Sequence, residues 1–89
     1  MRYSKRKILQ LLDRDLIFTR HALEQMLLPS RRLTEEEVEK TLRRGVIVEI
    51  QKSFFGDRVV IQAYKPTVCV VLGVADYLIV ITTWRGTKK

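Results

Sequence analysis

His21 is the only histidine in the chain, and it is the first residue that could do chemistry. Only an imidazole titrates near neutrality unassisted, so His21 is the candidate general acid or base. Arg85 and Arg58 are the cations that could clamp a phosphate through paired N–H donors, and Arg20 stands beside the histidine. Tyr64 and Lys65 close a run of alternating residues and could supply a proton or a stacking surface. Metal-independent cleavage of RNA needs these types. A base must take the 2′-hydroxyl proton, cations must meet charge building on the phosphate, and an acid must protonate the leaving oxygen. A single histidine excludes a mechanism built on two. Each residue also has a plainer reading. His21 could pack beneath a sheet with a hydrogen bond, the arginines could be solvated rim charges, and Tyr64 and Lys65 could be edge residues. Glu35, Glu36, Glu37 and Glu39 resemble catalytic carboxylates in number only, because helix capping already explains them.

One His and one Cys are too few ligands for a metal, so no metal or cofactor is expected. Cys69 lies in an apolar run and reads as a small buried hydrophobe. A lone Cys makes no internal disulfide and no signal peptide is recognised, which together point to the cytoplasm. The longest apolar run, Val68 to Ala75, falls far short of the ~20 residues that cross a bilayer, so no membrane partner is expected.

The net charge of +7 is placed unevenly. Met1 to Arg14 carries five basic residues and one acidic, Asp15 to Gly45 six of each, and Val46 to Ile81 three of each. Thr82 to Lys89 carries three basic residues and no acid, so the whole excess sits at the two ends. If the fold joins those ends, Lys5, Arg6, Arg85 and Lys88 form one basic face suited to a polyanion, most simply RNA.

The elements that must position these residues follow from caps and periods. Eighty-nine residues make one domain, 1–89. Three helices begin in the same way, with a polar N-cap between an apolar residue before it and another at N4. Tyr3-Ser4 with Ile8 opens a helix over about Lys5 to Leu12, and Phe18-Thr19 with Leu23 opens one over about Arg20 to Leu28. Leu23, Met26 and Leu27 of the second should face the core, and Pro29 stops it. Leu33-Thr34 with Val38 opens the third, where Thr34 and Glu37 make a capping box and Gly45 stands where a left-handed residue is wanted. Leu16-Ile17-Phe18 is a short extended piece. After Gly45 the period becomes two. Val46 to Gln51, Arg58 to Tyr64, Val68 to Val74 and Leu78 to Trp84 read as strands, with Val68 to Val74 central because it is apolar on both faces. Arg85 leaves the last strand with the parity of Thr83, Ile81 and Ile79. The fold class is α+β: N-terminal helices followed by a four-stranded antiparallel meander.

Phe18-Thr19-Arg20-His21-Ala22, Gln25-Met26, Leu33 to Val38, Gly45 and the closing Thr82-Thr83-Trp84-Arg85 together resemble a family of small prokaryotic domains, the domain of unknown function DUF4258. Gln25 departs from the arginine common at that position. In organisation the family is similar to RelE/ParE-like toxins, which place helices before an antiparallel sheet, and many of those cut RNA without metal. The resemblance implies a RelE-like, toxin-like domain that binds RNA. Its narrower form is a metal-independent endoribonuclease with His21, Arg85 and Arg58 as catalytic residues and Arg20, Lys5, Arg6, Tyr64, Lys65 and Lys88 on the RNA. The alternative is a non-enzymatic module whose sheet edge or basic face binds a protein, either an antitoxin-like peptide or a second copy in a homodimer.

Overall fold

The computed structural model describes residues 4–52, 57–64, 67–74 and 77–86. Three helices precede and interleave with a sheet: α1 (Lys5–Leu12), β1 (Leu16–Phe18), α2 (Arg20–Leu27), α3 (Glu35–Arg44), β2 (Val46–Gln51), β3 (Arg58–Ala63), β4 (Val68–Val74) and β5 (Leu78–Arg85). The expected caps form. The side chains of Ser4, Thr19 and Thr34 accept from the backbone N–H groups of Lys7, Ala22 and Glu37, and Glu37 completes the capping box at Thr34. Each bond satisfies a donor that a helix start leaves free. The Tyr3 half of the first staple and the Phe54 loop lie outside the described residues.

The sheet has five strands in the order β1-β5-β4-β3-β2. β2 to β5 are the antiparallel meander expected from their period. The four-stranded expectation is corrected by β1, which pairs parallel with β5 over Leu16–Leu78, Ile17–Ile79 and Phe18–Val80 and makes the sheet mixed. Three residues carry no readable period, so this strand exists only through its partner. β4 is central, and Cys69, Val70 and Leu72 are fully buried, so both of its faces are covered.

The helices cover one face. Ile8, Leu11 and Leu12 of α1, Ala22 and Met26 of α2 and Val38 and Leu42 of α3 meet Val59, Ile61, Val68, Val70, Leu72, Leu78 and Val80 in a single core. In α2 the inward row is Ala22 and Met26. Leu23 and Leu27, expected to face the core, are instead 42% and 81% exposed. Rows 22/26 and 23/27 are neighbouring stripes of one helix, and the seating of α2 on β5 selects the first.

A bulge alters the reading of β5. Val80 pairs with Leu72 and Thr82 with Val71, so Ile81 is the extra residue. Beyond it Thr83 pairs with Val70 and Arg85 with Val68, which places both on the helical face with Leu78 and Val80. The expected shared parity of Arg85 with Ile81 and Ile79 is thereby broken.

Gly45 is a close-approach residue rather than a left-handed one. Its φ of −75° and ψ of 172° are open to any residue. A Cβ there would lie 2.6 Å from the Thr41 carbonyl oxygen, 2.7 Å from Ile61 Cγ2 and 2.8 Å from the Gln62 carbonyl oxygen. Gly45→Ala should therefore cost roughly 1–3 kcal/mol, the usual cost of overpacking. Gly45→Asn should cost at least as much, whereas a left-handed site would tolerate Asn. Urea-denaturation midpoints of the two variants check this.

Candidate nucleic-acid interface

β5 is hydrogen-bonded along its whole length by β4 but along only its first residues by β1. The rest of its outer edge is finished by side chains. Thr19 Oγ1 donates to the Ile81 carbonyl at 3.0 Å while the Thr19 N–H donates to the Val80 carbonyl. Arg31 Nη1 donates to the Thr83 carbonyl at 2.9 Å and to Gln25 Oε1. Arg85, at the end of the same strand, reaches back. Its Nε donates to the Arg31 carbonyl at 2.6 Å, and its Nη2 donates to the Arg32 carbonyl at 3.3 Å and to Glu37 Oε2 at 2.8 Å. Arg32 has a φ of 43°, a left-handed conformation for a non-glycine residue, and Arg85 holds its carbonyl in place. Glu37 thus serves twice, as the reciprocal half of a helix cap and as the counter-ion of Arg85.

This network decides where the expected site residues stand. Arg85 is half-buried, with its guanidinium engaged inside the protein. His21 is exposed on the first turn of α2, so it does not pack under the sheet. Arg20 is exposed and pairs with Glu24 at 3.2 Å. Arg58 pairs with Gly73 while Arg85 pairs with Val68, so the two lie at opposite ends of β4, about 17 Å apart along the strand. They also lie on opposite faces, since Val59 beside Arg58 faces the helices. The structure therefore does not bring His21, Arg58 and Arg85 together. Lys65 and Lys88 lie outside the described residues.

The basic ends meet α3 at different turns. Lys5 Nζ donates to the Arg43 carbonyl at 2.8 Å, and Arg43 Nη2 stands 3.6 Å from Asp13. Arg85 meets α3 at Glu37, about 9 Å earlier along the helix axis. Lys5 and Arg85 are therefore not pooled at one point on α3, and Arg6 is exposed on α1.

A cleft of about 100 Å³ lies where α3 passes the end of β3 and the start of β4. Val68 and Ala63 form its apolar side, and Thr41 and Glu37 its inner wall. Lys40, Arg44 and Tyr64 stand at its rim, with Tyr64 63% exposed. The Thr41 hydroxyl donates to the Glu37 carbonyl, and the Glu37 carboxylate is held by Arg85. Lys40 and Arg44 have no ion-pair partner among the described residues. They are one helical turn apart, a like-charge spacing that costs a helix a few tenths of a kcal/mol. Of the residues singled out in the sequence, the cleft includes Tyr64. Lys40 and Arg44 escaped notice because Asp15 to Gly45 sums to zero charge, although their i, i+4 spacing was the available signal.

A small α+β domain with helices on one sheet face and a basic cleft at the strand ends is thus defined. The model of the family described as domain of unknown function DUF4258 matches residues 18–85, and the chain belongs to that family. Comparison with curated proteins and with solved structures found no match. No helix among the described residues is long and apolar enough to cross a membrane.

Two predictions follow from the side-chain network. A double-mutant cycle between Arg85→Ala and Glu37→Ala should give a coupling near 1 kcal/mol, the upper end for partly exposed pairs. Arg85→Lys should be nearly as destabilising as Arg85→Ala, because an ammonium lacks the fork that reaches two carbonyls and a carboxylate. The second concerns Lys5, whose ammonium burial pushes below the ordinary lysine value of 10.5. Between that lowered value and 10.5 the unfolded chain holds more protons than the native one, so stability should rise with pH there. Lys5→Met should flatten that rise in denaturation curves measured across the alkaline range.

Proposed function

We propose that this protein is an RNA-binding domain that uses the cleft between α3 and the ends of β3 and β4. The observation that carries this reading is the pair Lys40 and Arg44, two cations without an ion-pair partner among the described residues, on the rim of a cleft that also presents Tyr64. A phosphate between them relieves their mutual repulsion and gains charge-assisted hydrogen bonds. The excess positive charge of the chain adds long-range attraction for a polyanion. The similarity in organisation to RelE/ParE-like toxins belongs to the same proposal, with helices before an antiparallel meander as its support.

Endoribonuclease action is the narrower form of the proposal. Acid–base catalysis on one phosphate needs its groups within hydrogen-bond reach of that phosphate. The separation of Arg58 from Arg85, and the engagement of Arg85 with Glu37, support binding without cleavage. A second reading, a module that binds a protein partner such as an antitoxin-like peptide or its own copy, is favoured by one observation. β2 is an edge strand, and Val46, Val48 and Ile50 on it are all exposed.

Binding of RNA oligonucleotides should weaken steeply with salt. The double variant Lys40→Gln, Arg44→Gln should reduce the slope of log affinity against log salt by about 0.7–0.9 for each lost contact. Incubated with the purified protein, with or without chelator, the RNA should stay intact, and His21→Gln should change neither affinity nor melting temperature. Cleavage that His21→Gln lowers ~10²–10⁴-fold would replace this reading with the catalytic one. Salt-insensitive binding, or none, would favour the protein-partner reading.

A further inference from the structure

We propose that the cleft holds a single unpaired nucleotide of RNA, with the base against the ring of Tyr64 and its phosphate between Lys40 and Arg44. The inference rests on the RNA-binding reading and names the form of RNA that this site selects. Three features support it. Tyr64 follows the last residue of β3, lines the cleft and is largely exposed, so it is not part of the core. An exposed aromatic residue beside cations is the combination that single-strand binders use, since every base has a face to stack and a phosphate next to it. Second, the adjoining side of the cleft is apolar, formed by Val68 and Ala63, which suits the flat face of a base or the carbon edge of a ribose. Third, Glu37, the one carboxylate among the described lining residues, is paired with Arg85 at 2.8 Å, which offsets its repulsion of a phosphate entering between Lys40 and Arg44.

A duplex does not offer these groups. Its base faces are covered by neighbouring pairs, and the A-form major groove is too deep and narrow for side chains to read. A cleft built on stacking therefore separates unpaired from paired RNA, while the cations alone would bind both. The division of labour is testable because the two kinds of contact sit on separate residues. Tyr64 supplies the selectivity for unpaired bases, and Lys40 and Arg44 supply the affinity for any phosphate.

The experiment is fluorescence anisotropy with a short unstructured RNA and a fully paired hairpin of the same composition, against the full chain and three variants. Tyr64→Leu should bind the unstructured RNA about 5- to 150-fold more weakly, the loss of one stacked base, and should bind the hairpin as the parent does. Tyr64→Phe keeps the ring and should bind both as the parent does. Lys40→Gln with Arg44→Gln should weaken both RNAs. The substituted side chains lie at the cleft rim, and circular dichroism melts verify that each variant is folded. If Tyr64→Leu leaves the unstructured RNA bound as before while the double variant weakens it, the nucleotide pocket is overturned and RNA binding stands. If the parent protein binds neither RNA, both the pocket and the RNA-binding reading are overturned.

Discussion

The unfinished edge of β5 is the constraint on which the rest of this small fold depends. A buried carbonyl without a donor costs about as much as a lost hydrogen bond, and β1 is too short to serve all of those along β5. The Thr19 hydroxyl meets the Ile81 carbonyl and the Arg31 guanidinium meets the Thr83 carbonyl. Those two bonds fix where α2 begins and where the turn after it must lie. Arg85 then ties that turn to the first turn of α3 through Glu37. One strand edge thereby sets the seating of α2 and links β5 to the start of α3. Arginines that look available for a ligand in the sequence are spent on holding the fold.

The same edge explains which features were legible in the sequence. Caps are local chemistry, so Ser4, Thr19 and Thr34 announce their helices to within a residue. The central position of β4 follows from a run apolar on both faces. What escaped is non-local. Leu16 to Phe18 becomes a strand only because β5 lies beside it. The bulge at Ile81 belongs to the pairing of two strands, and it reverses the face on which Arg85 stands. Leu23 and Leu27 satisfy a helical stripe as well as Ala22 and Met26 do, and the docking of α2 on β5 makes the choice. Gly45 is marked by its type, but its reason is the backbone of β3 and α3 passing close by, which no local pattern reveals.

The candidate site was less legible than the fold for a related reason. Charge counted by segment treats α3 as part of a neutral stretch. Folded, the helix sorts those charges. Glu35, Glu36 and Glu37 occupy the first turn, where the dipole favours them, and Arg43 and Arg44 the last. Glu37 goes to Arg85, and Arg43 lies near Asp13 and Glu39. Among the described residues this leaves Glu35, Glu36, Lys40 and Arg44 of α3 without an ion pair. The dipole accounts for a cation at Arg44, in the last turn, but its effect fades within one turn and gives Lys40 little. Glu36, one turn before Lys40, offsets part of its charge within the helix, so α3 accounts for each cation singly, and their meeting beside Tyr64 comes from the packing of α3 on β3 and β4. A count by segment hides the cleft cations because only the packed helix shows which charges share a face and which strand ends they stand beside.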